Sequence, residues 1–186
     1  LGKDAEAPLV FEVPPGLSLS CGDAGAAGAA GIAEMLAILE DNMSGLYEGS
    51  SWGWQPARKA EELTHPSARF LALREHSTGE GPGRLAAFAH FRFEADDDDE
   101  PERLVVYCYE LQVAEAFQRR GLGRQLMEGL HRIGAALGVP QVMLTVFRRN
   151  EAARRFYAKL GYGVDANDPA NYGRREDYEI LSLDLR

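Results

Sequence analysis

The chain has 186 residues, 45% of them hydrophobic, and a formal net charge of −9. That length suits one sizeable core, and no apolar run is long enough to span a membrane. The negative balance argues against nucleic acid as a direct ligand, because phosphate contacts need basic surface, and it suits a cationic partner.

Residues 1–16 read as an irregular segment with Pro14-Pro15-Gly16 as a breaker, and 17–186 as a single domain. Leu17 to Cys21 alternates like a strand, and Asp23 is placed to cap a helix start. Gly25 to Gly31 is poor helix chemistry at its glycines. Ile32 to Tyr47 is clearer, with Leu36, Leu39, Met43, Leu46 and Tyr47 at helical spacing. A short helix is predicted over Pro56 to Leu63, with proline in its first turn. Arg69 to Arg74 and Leu85 to Phe93 read as strands joined by the polar, glycine-rich turn Ser77 to Gly83. The acidic run Glu94 to Glu100 reads as a solvated loop and also as a patch attractive to a basic peptide.

Leu104 to Val113 reads as a buried strand, and Gly121 to Leu137 has a helical pattern. Between them lies Gln118-Arg119-Arg120-Gly121-Leu122-Gly123. A strand that enters a glycine-containing loop and then a helix N-terminus makes an anion site. The first backbone N–H groups have no intrahelical partner, and the helix dipole favours negative charge. The spacing fits neither a P-loop nor a dinucleotide fingerprint. Val142 to Phe147 comes next as a short buried strand. Asn150 then caps a helix with Ala153, Phe156, Tyr157 and Leu160 on one face and Gly161 at its end. Asn167 to Glu176 is a polar loop, and Tyr178 to Leu185 an alternating strand. This order is that of a mixed α/β fold, mainly antiparallel and flanked by helices.

Two of these segments resemble motifs of the Gcn5-related N-acetyltransferase (GNAT) superfamily. Gln118 to Gly123 resembles its pyrophosphate loop, and Asn150-Glu151-Ala152-Ala153-Arg154-Arg155-Phe156-Tyr157-Ala158-Lys159-Leu160-Gly161-Tyr162 its second CoA motif. The element order is also that of the GNAT fold. The resemblance implies acetyl-CoA as cofactor. It implies that Leu111, Val113, Gln118, Arg119, Arg120, Gly121, Leu122, Gly123, Asn150 and Tyr157 contact it. Gln118 stands where an arginine more typically opens the loop, while Arg119 and Arg120 still supply positive charge.

Asn42 to Trp54, Phe91 to Glu94 and Tyr107-Cys108-Tyr109-Glu110 further resemble the NatD-type N-terminal acetyltransferases. Residues 1–37 show no such likeness, and the acidic run looks like an insertion. The substrate so implied is the free N-terminus of histones four and two-A, beginning Ser-Gly-Arg-Gly; the alternatives are an acetyltransferase acting on lysine or a small amine, and a non-catalytic module that binds acetyl-CoA or a histone tail. Basic histone peptides are then the partners, the ribosome is a further one the resemblance raises, and a monomer in cytoplasm and nucleus is expected. An N-terminal amine has a pKa of ~7.7–8.0, so a carboxylate suffices to take its proton. Glu110 is the implied base, or else a salt-bridged strand carboxylate. Tyr109 or Tyr107 relays the proton or meets the substrate, or both are core aromatics. Tyr47 and Trp52 are expected to wall the N-terminus pocket, with Trp54 beside them as packing. Glu94 is expected to meet the substrate arginine. Tyr157 protonates the leaving thiolate or packs, and Asn150 is helix cap, cofactor contact or both. Strict alternation puts Tyr107 and Tyr109 on one face and Cys108 and Glu110 on the other, unless a bulge intervenes. Cys108 has no visible activating neighbour, so transfer directly between bound substrates is favoured over an acyl-cysteine. The four histidines are scattered, and no metal site is expected.

Overall fold

A computed structural model describes residues 11–77, 79, 81–96 and 103–185. The expected irregular segment over residues 1–10 and the acidic positions Asp97 to Glu100 lie outside them. Among the described residues, seven strands form one sheet: Leu17–Asp23 (β1), Arg69–Glu75 (β2), Leu85–Ala95 (β3), Leu104–Val113 (β4), Gln141–Phe147 (β5), Gly163–Val164 (β6) and Tyr178–Asp184 (β7). Their order is β1-β2-β3-β4-β5-β7-β6. Every neighbouring pair is antiparallel except β4 and β5. Four helices flank the sheet: Ala24–Glu48 (α1), Pro56–Leu63 (α2), Leu122–Ala136 (α3) and Glu151–Lys159 (α4).

The elements agree with their local chemistry with two departures. The glycine-rich stretch after β1 is helical, because the Asp23 carboxylate accepts the Ala26 N–H at 2.9 Å and starts α1 at Ala24. Gly28, at φ 66°, interrupts the regular helix geometry, as a glycine can without a Cβ penalty. The two-residue β6 had no sequence signal, since so short a pairing is decided by the neighbour it meets.

The sheet separates two apolar layers. On one side α3 and α4 pack over Leu71, Leu73, Ala87, Phe91, Val106, Cys108 and Leu144. Gly129 and Gly134 bring α3 close, for a Cβ on Gly134 would stand 2.5 Å from Leu185 Cδ1 and 3.4 Å from Val106. On the other side Ile32 and Met35 of α1 and Leu63 of α2 pack over Phe70, Ala72, Leu85 and Phe88.

A bulge sits in β4. His90 pairs with Glu110 and Phe91 with Cys108, so Tyr109 is an extra residue opposite none. Strict alternation would leave Glu110 on the Cys108 face. The bulge turns it to the α1–α2 side with Tyr109.

Leu63 is 1% exposed and seats α2 on that layer. Leu63→Ala should cost about 2–5 kcal/mol in urea denaturation. A loss below about 1 kcal/mol would show that α2 is held by other contacts.

Candidate active site

The parallel pairing of β4 with β5 covers only Val106, Tyr107 and Cys108 against Val142, Met143 and Leu144. Beyond it the strands part, yet neither frays. β4 stays paired with β3 as far as Val113, and β5 with β7 as far as Phe147. A cavity of about 330 Å³ lies in the fork, walled by β4, β5, α1, α2 and α4.

Backbone groups of β4 are left facing the gap. The Ala114 N–H donates to the Ala86 carbonyl of β3 at 2.9 Å. By the two-residue period, Gln112 and Glu110 also turn their backbone groups to β3, and Leu111 and Val113 turn theirs away. The Val113 carbonyl accordingly accepts from Asn42 Nδ2 at 3.1 Å and from Gln118 Nε2 at 3.2 Å.

A chain of polar side chains crosses the α1–α2 wall. Asn42 Nδ2 donates to Gln112 Oε1 at 3.0 Å, and Gln112 Nε2 donates to Glu110 Oε2 at 3.0 Å. Lys59 Nζ donates to Glu110 Oε1 at 3.0 Å and to Glu62 Oε2 at 2.7 Å. It also lies 4.8 Å from the Tyr47 ring centroid. Burial raises Glu110 above the usual carboxylate range, with Lys59 and Gln112 opposing. Burial would by itself lower Lys59. The charge of Glu110 and the contacts with Tyr47 and Glu62 outweigh it and hold the ammonium above its ordinary value.

Aromatic rings line the mouth. Tyr47 meets Phe147 edge-on at 5.0 Å and Trp54 at 5.6 Å. Trp52, 37% exposed, packs on Tyr178 at 4.9 Å and Phe147 at 5.3 Å. Burial, then Glu110, pushes the Tyr47 hydroxyl up to about 12. The Tyr107 hydroxyl pairs with Thr145 Oγ1 at 2.5 Å. The Tyr109 hydroxyl donates to Glu94 Oε1 at 2.9 Å, and its ring stacks on His90 at 5.1 Å and under Arg92 at 4.3 Å. Tyr157 is buried, which raises its hydroxyl well above 10, with Cys108 and Glu110 adding to the shift. Cys108 is 3% exposed, and burial likewise raises its thiol, so it stays protonated and a poor nucleophile.

The loop after β4 carries two residues of positive φ just before α3. Arg119 is left-handed at φ 62°, Gly121 at φ 82° precedes α3, and a Cβ on Gly121 would meet nothing within 4 Å. Arg120 is turned back onto its own loop, donating to the Ala116 carbonyl at 2.7 Å. This open backbone, the α3 N-terminus and the gap-facing groups of Leu111 and Val113 fit an elongated pyrophosphate-bearing thioester.

The structure thus gathers Tyr47, Trp52, Tyr107, Tyr109, Glu110, Leu111, Asn150 and Tyr157 around one cavity. Glu94 joins it through the Tyr109 hydroxyl, and Gln118 to Gly123 come after the end of β4. Asn150 Oδ1 accepts the Ala153 N–H at 3.2 Å, so it is a helix cap. Both alternatives for Glu110 coexist: it is a salt-bridged strand carboxylate, and it lines the cavity. Sequence reading missed Lys59, Glu62, Gln112, Asn42 and Thr145. On α2, Lys59 and Glu62 look like an ordinary i, i+3 surface pair.

Residues 34–162 match the Acetyltransferase (GNAT) family. Mycothiol acetyltransferase of Mycobacteroides abscessus is 37% identical over 127 residues, 66% of this chain and 39% of that protein. N-alpha-acetyltransferase 40 of Saccharomyces cerevisiae is 35% identical over 102 residues, 47% of this chain and 36% of that protein. The chain therefore spans about two fifths of the length of these curated relatives. In fold it is similar to Arabidopsis thaliana NAA60 in complex with a bisubstrate analogue, at TM-score 0.65 and 15% identity, covering 90% of this chain and 98% of that one.

His90, opposite Glu110, is fully buried, and neither ring nitrogen has a hydrogen-bond partner among the described residues. Burial, aided by Arg92, lowers its pKa to about 3. Below about pH 6.5 the unfolded chain binds this proton and the folded one does not, so stability falls with pH from there towards 3. Between pH 6.5 and 5 the loss should be about 2 kcal/mol. His90→Leu should remove that increment from urea denaturation at the two pH values. An equal acid loss in both proteins would refute the assignment.

Proposed function

The chain belongs to the acetyltransferase (GNAT) family, whose cofactor is acetyl-CoA, and from that premise we propose that it acetylates the N-terminal amine of peptides beginning Ser-Gly-Arg-Gly, as in histone tails. One observation carries the reading. A carboxylate, Glu110, and an aromatic wall, Tyr47 and Trp52, face one cavity, and Tyr109, which also lines it, donates its hydroxyl to the acidic Glu94. A small amino-terminal residue fits such a space, and an arginine two positions further on finds a carboxylate beyond it. The local likeness to N-alpha-acetyltransferase 40 supports an N-terminal α-amine as the acceptor.

The residues have distinct roles. The loop Gln118 to Gly123 would hold the pyrophosphate on its backbone N–H groups, and Val113 and Leu111 the arm beyond it. When bound, acetyl-CoA supplies an activated thioester. The Leu111 N–H would donate to the carbonyl oxygen as negative charge develops there. Glu110 takes the proton that the attacking amine sheds, directly or through a water. Tyr157, kept protonated by burial, has a proton for the departing sulfur. Tyr107 and Tyr109 are held by Thr145 and Glu94 and shape the acceptor side.

A second reading has its own support. The mycothiol acetyltransferase likeness covers more of this chain than the N-alpha-acetyltransferase one, so a small-molecule amine is the competing acceptor.

Mass spectrometry separates them. A Ser-Gly-Arg-Gly peptide incubated with acetyl-CoA and the protein should gain one acetyl group at its N-terminus, and an N-terminally blocked peptide with the same lysines should gain none. Labelling of both would make it a lysine acetyltransferase, and labelling of neither would favour the small amine. On the accepted substrate, Glu110→Gln should lower kcat/KM by roughly 10²–10⁴-fold, and a rate equal to wild type would remove Glu110 as the base.

A further inference from the structure

Acetyl transfer by one carboxylate does not call for a buried lysine, yet α2 delivers one to the same wall. The Lys59 side chain is 12% exposed, and its Nζ reaches Glu110 at 3.0 Å and Glu62 at 2.7 Å. Both Glu110 oxygens are engaged, one by Lys59 and the other by Gln112 at 3.0 Å. The groups facing Glu110 are few. From α2 come Lys59 and Glu62, the latter also 3.5 Å from Arg58. From α1 comes Tyr47, from β3 His90 and Arg92, from β4 itself Cys108 and Tyr109, and from α4 Tyr157. Burial keeps Tyr47, Tyr109, Tyr157 and Cys108 protonated and His90 uncharged. Arg92 is spent elsewhere, lying over Tyr109 and donating to the Glu62 carbonyl at 2.8 Å. Among the described residues, Lys59 is the cation in direct contact with the Glu110 carboxylate.

We propose that Lys59 is a positioning residue, the counter-ion that keeps Glu110 ionised and aimed into the cavity, so that α2 sets the pH range of acetyl transfer. The proposal rests on Glu110 as the proton acceptor. The sign is set by the charges that remain when Lys59 goes. Glu110 then stays buried, loses its cation and keeps Glu62 as a like-charged neighbour. Each change favours the protonated carboxyl, and a protonated carboxyl cannot accept a proton. The enzyme would need a higher pH to work.

The test is the pH profile of Lys59→Met with Lys59→Arg beside it. An opposite charge at this distance moves a carboxylate by roughly 1–3 pH units. The acid limb of kcat/KM should therefore move up by at least about one unit in Lys59→Met and return towards wild type in Lys59→Arg. A lysine that only braces α2 would lower the rate and leave the limb in place, which would overturn the proposal. Carbon-13 NMR titration of the Glu110 carboxyl, identified by its loss in Glu110→Gln, reads the same shift without activity. A shifted titration with an acid limb insensitive to Glu110→Gln would mean that Glu110 is not the base and Lys59 is still its counter-ion. An unshifted titration refutes the counter-ion whatever the activity. Should Lys59→Met not fold, the double variant Lys59→Met with Glu110→Gln decides. Recovery of a cooperative melt on removing both charges supports the counter-ion, and equal failure of single and double variants rejects it.

Discussion

Everything at the site depends on where β4 lets go of β5. Three residue pairs hold the strands together, and after Cys108 and Leu144 they part while each keeps its outer neighbour. A parted pair in mid-sheet ordinarily strands backbone N–H and C=O groups at a cost. Here the antiparallel pairings on either side keep the strands rigid, and Leu111 is left facing the gap while Asn42 and Gln118 take up the Val113 carbonyl. The bulge at Tyr109 sits at the point of parting. It bends β4 and turns Glu110 towards α2. One extra residue thus both opens the cavity and supplies its carboxylate.

A charge placed so deep has to be compensated. Glu110 is 5% exposed, and an ion of that burial is tolerated only with a partner and with its remaining lone pairs bonded. The run from Asn42 through Gln112, Glu110 and Lys59 to Glu62 meets both conditions. It also stitches α1, β4 and α2 together across the cavity wall. The cavity's shape and the ionisation of its carboxylate are consequently not independent: a shift of α2 shifts the counter-ion. His90 shows the same demand met differently. With no partner at either nitrogen among the described residues, it is kept neutral by burial.

Under the proposed function, acceptor choice would rest on a different part of the fold. The acetyltransferases to which this chain is similar carry names for different acceptors, mycothiol in one and an N-terminal amine in another. On that proposal the acceptor side is the turn from α1 into α2, where Tyr47 packs on Phe147 and Trp54, and Trp52 packs on Phe147 and Tyr178. Ser51 N–H donates to Asp177 at 2.8 Å and pins that turn to the loop before β7. This aromatic cluster therefore joins chain segments about a hundred residues or more apart.

Much of the molecule was legible in order. Strand and helix periods, the Asp23 and Asn150 caps and the Gly121 loop are local properties, written in neighbouring residues, and the elements appear where those signals stood. Glu110, Tyr157 and Leu111, singled out by motif likeness, line one cavity. Beyond that, period and propensity are silent. Only the assembled sheet decided that Tyr109 is bulged, because a bulge is a mismatch between two strands and belongs to neither. Lys59 likewise sits on a short polar helix whose sequence suits solvent, and only the seating of α2 by Leu63 buries its ammonium against Glu110. Local order is dictated by backbone sterics and hydrophobic spacing along the chain. The ionisation of the site is dictated by which charges meet out of water, and that is fixed only when distant segments pack.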